Sequence, residues 1–322
     1  MKSLSKLPVS QEAAQALFNS YLGSAARICS YQELTEGFFN AAYRVELADG
    51  MVCVLKVAPP PEVRVLRYER AIMHTEVEVL RLVASGTTMP VPAVLFHDER
   101  CELLPSPCFA MQFVAGEPLH KLRSSLSLDE NQRIDRVCGD YLRQMNALSG
   151  PDFGLYTPAA PRFSTWRQAY EQLLSDVLLD GEAERVNLPL SSAALLALAR
   201  QHFAALDEVT RPALVHWDLW DGNIFIDPLT RQVNGIIDFE RALWADPLME
   251  VNFGAFGFNP DFIQGYGFDL PLTPAQQTRR ALYNLYLFLI MVIECHYRHY
   301  PTNDQENWAR GKLAEVIAVL QQ

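Results

Sequence analysis

The 322-residue sequence has no excess of basic side chains and no long uninterrupted apolar run. Its 27 lysines and arginines against 38 aspartates and glutamates give a net charge of −11, which argues against nucleic acid or an anionic membrane as a partner. The longest apolar segment, 281–293, contains Asn284 and falls short of the roughly 20 residues that span a bilayer. The first eight residues lack an apolar core, so we expect no signal peptide.

Paired cysteines and internal repeats are also missing. Six cysteines are scattered without paired spacing, which predicts reduced thiols and a cytoplasmic location. Cys295 and His296 are adjacent, with His299 close behind, but no second ligand cluster accompanies them, so we expect no metal site there. With 49% apolar and 20% charged residues, the composition is typical of a globular protein with a substantial core.

Secondary-structure signals divide the sequence into two parts. The predicted elements are a β-hairpin over 41–57 that turns at Asp49-Gly50, a helix over about 66–84, strands over 93–96 and 109–114, helices over about 128–148, 163–180, 191–208 and 274–299, and short strands over 224–226 and 235–237. A sheet-rich part followed by a helical part is an α+β arrangement. We therefore predict two lobes, residues 1–115 and 116–322, with a hinge near Val114.

The strongest chemical signal is the segment 214–226 together with an aspartate that follows it. The segment contains His216, Asp218 and Asn223, and Asp238 comes fifteen residues after Asn223. Phosphoryl transfer requires a carboxylate that accepts a hydroxyl proton and hard oxygen ligands that hold Mg²⁺ on a triphosphate. We predict Asp218 as the catalytic base and Asn223 and Asp238 as magnesium ligands. Asp and Asn also cap turns, but the occurrence of all four residues in this order favours a phosphoryl-transfer site over isolated turn caps.

An upstream lysine supplies the matching cation. Val54 and Lys56 lie on one face of a predicted strand, and a lysine at the end of an apolar face is costly to bury without an anion. We predict that Lys56 binds phosphates and that Val54 contacts the adenine. The expected partner of Lys56 is Glu76, at the edge of the buried stripe of the next helix, and Glu69 is the alternative. The competing interpretations are that Lys56 reaches solvent from an edge strand and that the glutamates lie on a solvated flank of the helix.

A loop that covers the phosphates should lie just before the hairpin. The candidate is 36–42, in which backbone N–H groups around Gly37 and Asn40 would line the phosphates. It contains a single glycine, so the pattern is weak when taken alone.

Together these residues resemble the aminoglycoside phosphotransferase family, which has the protein-kinase-like fold. The matching positions are Val54-Leu55-Lys56, Glu76, His216-x-Asp218-x-x-x-x-Asn223, Ile237-Asp238-Phe239-Glu240 and Ala245-Asp246-Pro247-Leu248 with Glu250. The resemblance runs from about Glu33 to Phe253. It implies a two-lobed enzyme that moves the γ-phosphate of ATP or GTP, with Mg²⁺, to a hydroxyl of a small molecule. Choline, homoserine and fructosamine kinases share these motifs. A metabolite kinase and a catalytically silent nucleotide-binding protein are the alternatives.

The resemblance also implies supporting positions. It makes the backbone of Met111, Gln112, Phe113 and Val114 the hinge that pairs with the adenine edge, and it makes His216, Asp246 and Glu250 supports of the catalytic loop. Two positions depart from the family pattern. Trp217 stands where glycine is usual, and its bulky ring is expected to reshape the acceptor pocket. Glu250 stands where aspartate is common.

Several carboxylates lie in or near the C-terminal side of the expected cleft, namely Asp221, Glu240, Asp246 and Glu294. Carboxylates around one cleft raise the local concentration of cations, so an acceptor with an amine close to the phosphorylated hydroxyl is a hypothesis. The alternative is that Asp246 and Glu250 brace the loop and that Glu294 lies on a solvated helix face.

Overall fold

A five-stranded antiparallel sheet forms the first lobe. The computed structural model describes residues 6–35, 37, 39–158, 160–300 and 302–322. The lobe contains α1 (Gln11–Leu22), β1 (Ile28–Leu34), β2 (Ala41–Leu47), β3 (Val52–Val57), α2 (Ile72–Gly86), β4 (Val94–Asp98) and β5 (Cys108–Gln112). The strand order is β1-β2-β3-β5-β4.

The predicted hairpin is confirmed as β2 and β3. Gly50 adopts a φ of +88°, a left-handed conformation that favours glycine, and the Asp49 side chain accepts a hydrogen bond of 2.9 Å from the Met51 N–H. The pairing runs from Ala41 opposite Val57 to Glu46 opposite Val52. This register places Val54 and Lys56 on the same face of the sheet.

Each face of the sheet packs against a different partner. Leu17 and Phe18 of α1 join a buried cluster with alternate sheet residues such as Leu55. The other face carries Val54 and Lys56 and packs against α2 and the second lobe. Helix α1 was not predicted, although Ser10 caps it by accepting a hydrogen bond of 3.2 Å from the Ala13 N–H.

Helices and short strands form the second lobe. Its elements are β6 (Glu117–Pro118), α3 (Leu119–Leu122), α4 (Leu128–Ala147), β7 (Gly154–Leu155), α5 (Trp166–Ala183), α6 (Ser192–Arg200), β8 (Ala213–Val215), β9 (Ile224–Ile226), β10 (Val233–Ile236), β11 (Leu243–Ala245), α7 (Pro260–Tyr266), α8 (Pro274–Arg298) and α9 (Asp304–Leu320). The strands form two three-stranded sheets, β10-β9-β6 and β7-β11-β8. The α+β prediction is confirmed.

Helix α8 accounts for the longest apolar segment of the sequence. Thr273 and Gln276 form a capping box at the start of this predicted helix, with Pro274 at the first helical position. Residues 285–290 are buried without interruption, as expected for a helix at the centre of a lobe. Among the described residues, no helix combines the length and the apolar character that crossing a membrane requires.

Two glycines let the segment between the lobes lie close to the second lobe. Gly116 has a φ of +116°, and a Cβ there would stand 2.5 Å from the Ile226 carbonyl oxygen. A Cβ on Gly235 would come within 2.5 Å of a Val114 methyl group. The end of the hinge segment therefore rests directly on β9 and β10, beside the proposed boundary between residues 115 and 116.

Candidate active site

Lys56 joins the two lobes at the cleft. Its Nζ lies 2.7 Å from Glu76 Oε1 on α2 and also bonds to Asp238 Oδ1, which follows β10. Burial alone would lower the pKa of Lys56, but Asp238 and Glu76 outweigh burial and raise it, so the ammonium stays charged. Of the two glutamates that the sequence offered as partners, the structure places Glu76 on Lys56 and Glu69 elsewhere.

The loop after β8 presents Asp218 to the same cleft. The Asp218 N–H donates to His216 Nδ1 over 3.2 Å, and His216 Nε2 lies 3.2 Å from the Ile237 carbonyl oxygen. These partners assign the proton to Nε2. Burial lowers the pKa of His216 to about 4, so the imidazole is neutral and links the catalytic loop to the segment before Asp238.

Glu250 holds the loop from beneath. Its two carboxylate oxygens accept the N–H groups of His216 at 2.7 Å and Trp217 at 2.8 Å. Asn146 donates from Nδ2 to Glu250 Oε1 over 3.2 Å and to the Leu214 carbonyl oxygen over 2.7 Å. Glu250 is fully buried, and burial raises its pKa to about 7 in spite of these bonds. The loop conformation is thus fixed by hydrogen bonds on its buried side.

Asn223 and Asp238 offer oxygen ligands that suit magnesium. Asn223 donates from Nδ2 to the Asp218 carbonyl oxygen at 2.8 Å, which directs its Oδ1 away from that bond. Asp238 adopts a left-handed φ of +65° and keeps about a third of its side chain exposed to the cleft. Burial would raise the pKa of Asp238, but Lys56 lowers it, so the carboxylate is ionised. An amide oxygen and a carboxylate are ligands that Mg²⁺ accepts alongside phosphate oxygens.

Asp218 has the properties of a proton acceptor near neutral pH. Burial raises its pKa to about 7, and Arg241 opposes this shift while Asp238 and Glu240 add to it. A general base is most effective when its pKa lies close to the working pH. Arg241 was not predicted as a site residue, although it directly follows Glu240 in the motif around Asp238.

Trp217 lies away from the acceptor side of the loop. The residue is 2% exposed, its φ is +62°, and its ring stacks on Tyr286 with centroids 5.2 Å apart. The expectation that this ring reshapes the acceptor pocket is therefore wrong, because the ring packs into the lobe. Trp220 is the accessible ring of the loop: it is 50% exposed and stacks on His120 at 5.5 Å.

Two of the residues predicted to contact the nucleotide lie on neighbouring strands of the first lobe. Val54 and Met111 are buried opposite each other in the register of β3 and β5. Gln112 and Phe113 direct their N–H groups to Ala93 and Val52 within the sheet, so Val114 is the next residue that can present an N–H to a base.

The predicted phosphate loop is described only in part. Glu36 and Phe38 lie outside the described residues. A Cβ on Gly37 would meet nothing closer than the Asn40 carbonyl oxygen at 4.0 Å, so the backbone there has open space beside it. Asn40 donates from Nδ2 to Glu240 Oε2 over 2.8 Å, which connects the loop to the second lobe.

Three of the four carboxylates suggested for a cationic acceptor already have arginine partners. Arg123 binds both oxygens of Asp221, at 2.6 and 2.8 Å, and Arg279 lies 2.9 Å from Asp246. Glu294 is 5% exposed, not on a solvated helix face, and lies 3.5 Å from Arg241 and 3.6 Å from Arg298. Glu240, held by Asn40, is the fourth carboxylate, and its charge helps to raise the pKa values of Lys56 and Asp218.

Ion pairs that the sequence did not reveal connect the lobes beside the cleft. Glu69, on a 3-10 helix before α2, bonds to Arg298 at the end of α8. The Arg298 guanidinium also lies 5.2 Å from the centre of the Phe39 ring. The partners are 229 residues apart in the chain, and neither belongs to a motif, so no local signal identifies them.

The sequence matches a known family over most of its length. Residues 30–278 match the model described as the phosphotransferase enzyme family. Among curated relatives, a "Probable ketoamine kinase" of Vibrio cholerae is 26% identical over 219 residues, 66% of this chain and 70% of that protein. Another from Vibrio parahaemolyticus is 39% identical over 83 residues, and this chain spans only 26% of its length there.

Solved structures share the architecture. A "Putative fructosamine-3-kinase" from Haemophilus somnus superposes with a TM-score of 0.69 at 16% identity, covering 95% of this chain and 97% of the other. A thermostable mutant of an aminoglycoside phosphotransferase, in a ternary complex with AMP-PNP and hygromycin B, gives 0.65 at 18% identity, covering 95% and 98%. At these identities the structures establish the two-lobed fold.

Proposed function

We infer that this chain, which belongs to the phosphotransferase enzyme family, transfers the γ-phosphate of ATP to a hydroxyl group of a sugar-derived amine of the ketoamine type. The observation that carries the inference is the arrangement of Lys56, Glu76 and Asp238 in direct contact, with Asp218 and Asn223 on the adjoining loop. Phosphoryl transfer depends mainly on positioning and on compensating charge, and these groups provide both.

The residues divide the work between nucleotide and acceptor. Lys56, oriented by Glu76, binds the nonbridging phosphate oxygens, and Val54, Met111 and Val114 line the place of the adenine. Asn223 and Asp238 hold Mg²⁺, which neutralises charge on the triphosphate when it is bound.

On the acceptor side, Asp218 orients the hydroxyl and accepts its proton. Neutral His216 keeps the Asp218 backbone in place through the 3.2 Å hydrogen bond. The loop is anchored beneath by Glu250, while Asp246 anchors the following segment by accepting from the Leu248 N–H at 3.1 Å.

The relatives and the charges of the cleft support a ketoamine acceptor. The curated relatives that match over two thirds of their length are named ketoamine kinases. A ketoamine carries hydroxyl groups next to an amine, and Glu240 supplies a carboxylate beside Asp218 to meet a cation. An aminoglycoside is the second candidate, since an aminoglycoside phosphotransferase shares the fold.

A matched panel of acceptors tests this proposal. The purified protein is given Mg²⁺ and ATP with a fructosyl amine, the corresponding neutral ketose, or hygromycin B, and ADP release and product mass are measured. We expect a phosphorylated product from the fructosyl amine at a kcat/KM at least tenfold above that of the neutral ketose. Equal turnover of the neutral sugar would refute a role for the amine, and turnover of hygromycin B alone would favour the aminoglycoside class. ATP binding without turnover of any hydroxyl compound would favour the silent alternative.

A further inference from the structure

Two histidines and a glutamate meet outside the cleft, between α2 and the end of β4. His74 Nδ1 lies 3.0 Å from Glu99 Oε1, and His97 Nε2 lies 3.8 Å from the same oxygen. The three ligand atoms lie within 4.8 Å of one another. Among the described ranges, no other group of three or more histidine, cysteine, aspartate or glutamate side chains is arranged in this way.

The fold places these side chains together. His97 pairs with Phe109 in the register of β4 and β5, and Phe109 belongs to the cluster that packs against α2. Side chains alternate along a strand, so His97 points toward α2 while Phe96 points to the other face of the sheet. His74 lies on the first turn of α2, and Glu99 directly follows β4.

His97 is the observation that points to a ligand. Its side chain is only 9% exposed, and its Nε2 is buried without a hydrogen-bond partner in the part of the chain that the structure describes. Buried ring nitrogens are almost always paired, because leaving one unpaired costs free energy. The unpaired nitrogen is directed into the space that His74 and Glu99 border.

We propose that His74 Nδ1, His97 Nε2 and the Glu99 carboxylate bind one divalent cation of the zinc class, with a fourth position open to water. Zinc bonds of 2.0–2.2 Å to nitrogen and oxygen imply ligands about 3.3 Å apart in a tetrahedron, which lies between the two distances in this cluster. Two imidazoles with one carboxylate select zinc over magnesium, which prefers oxygen ligands.

The surroundings admit a cation. Glu99 is half exposed, so an ion can enter from solvent past its carboxylate. The nearby charges of Glu78 and Arg81 are paired with each other at 2.6 Å and leave the cluster with the negative charge of Glu99. A bound ion would fasten α2 to β4, and α2 carries Glu76, the partner of Lys56. The site therefore offers a means of stiffening the helix that orients the phosphate-binding lysine.

A plain hydrogen bond between His74 and Glu99 is the competing explanation. The chain contains a suitable comparison, because His296 Nε2 lies 3.1 Å from Glu306 Oε1 and, within the described part of the chain, no second histidine completes a ligand group there. His296→Gln is thus a matched control that removes an ordinary histidine–carboxylate pair. Cys29 is exposed and could bind zinc by itself, so every protein in the test carries Cys29→Ser.

The test is calorimetric titration of the metal-stripped full chain with zinc chloride. We expect one Zn²⁺ per chain in the parent protein and in His296→Gln, and binding at least tenfold weaker in His74→Gln and in Glu99→Gln. Equal affinity in all four proteins, or no binding in the parent, would overturn the site. Zinc should also slow amide hydrogen exchange in the first two turns of α2, and unchanged exchange with zinc bound would overturn the link to the helix.

Discussion

At the residue scale, the cleft contains several carboxylates and one lysine, Lys56, which contacts two of them. In addition to burial, the charges of Asp238 and Glu240 raise the pKa values of both Glu76 and Asp218, and Lys56 compensates only part of this negative charge. Such a concentration of negative charge is unfavourable for the free protein but suits a site that takes up Mg²⁺ with its nucleotide. The ionised Asp218 carboxylate therefore serves the proposed reaction but lowers the stability of the free protein.

We predict that Asp218→Asn stabilises the ligand-free protein increasingly as pH rises. The pKa of Asp218 is about 7 in the folded chain, above its value in the unfolded chain, so its stabilising contribution is complete below the unfolded pKa and is lost as pH rises through about 7. Asparagine does not ionise. Relative to wild type, urea unfolding should show the variant gaining about 2–3 kcal/mol between pH 5 and pH 8.

Asp227→Asn is the control for this measurement. Backbone hydrogen bonds from Thr230 and Leu229 lower the pKa of Asp227, so this substitution should bring no gain as pH rises. A constant difference between Asp218→Asn and wild type across the pH range would show that Asp218 ionises normally in the cleft.

At the element scale, the structure of the catalytic loop explains why a tryptophan stands where the family has glycine. The φ of +62° at Trp217 is a conformation that glycine adopts without cost, whereas other residues lose about 1–2 kcal/mol there. Burial of the ring against Tyr286 offsets that strain. The same loop is tied to Glu250 and His216, so the backbone is held in place on both sides of Trp217.

We predict that Trp217→Ala destabilises the fold by about 3–5 kcal/mol, because it leaves a cavity beside Tyr286. Trp217→Gly makes the same cavity but removes the backbone strain, so it should be at least as stable as the alanine variant. Trp220→Ala, at a half-exposed ring, should cost less than about 1 kcal/mol. The free energies of unfolding of the three variants, measured by chemical denaturation, test these expectations. An alanine variant more stable than the glycine variant would contradict strain at this position.

The elements differ in how well the sequence predicts them. The β2–β3 hairpin and α8 carry strong local signals, an Asp-Gly turn and a capping box, and both appear where those signals place them. Helix α1 was missed because its apolar residues are buried by packing against one face of the five-stranded sheet, a contact that the local sequence does not reveal. The pairing of Lys56 with Glu76 follows from periodicity. The pairings of Glu69 with Arg298, Asp221 with Arg123 and Glu294 with Arg241 depend on tertiary contacts that no spacing encodes.

At the scale of the whole molecule, buried ion pairs connect the lobes on one side of the cleft. Glu69 and Arg298 come from opposite lobes and are both nearly buried. Glu294 lies beside them and also approaches Arg241, whose charge acts on Asp218. This network, with Lys56 and Asp238, sets how the two lobes face each other.

We predict that Arg298→Ala destabilises the protein by about 3–5 kcal/mol, since it leaves the buried Glu69 carboxylate without its partner. Arg64→Ala removes an ion pair with Glu184 whose arginine is 65% exposed, and it should change stability by less than about 1 kcal/mol. Both variants are compared with wild type by urea unfolding. Equal effects of the two substitutions would mean that the Glu69–Arg298 pair is not part of the support between the lobes.

The assignment of Asp218 as the base for phosphoryl transfer is tested most directly by comparing turnover with nucleotide binding in Asp218→Asn. We predict that kcat falls by about 10²-fold or more while Mg²⁺-ATP stabilises the variant as well as wild type, because Asp218 acts on the acceptor hydroxyl. The same substitution at Asp227 should leave turnover unchanged. Near-wild-type turnover in Asp218→Asn would show that Asp218 is not the base for phosphoryl transfer.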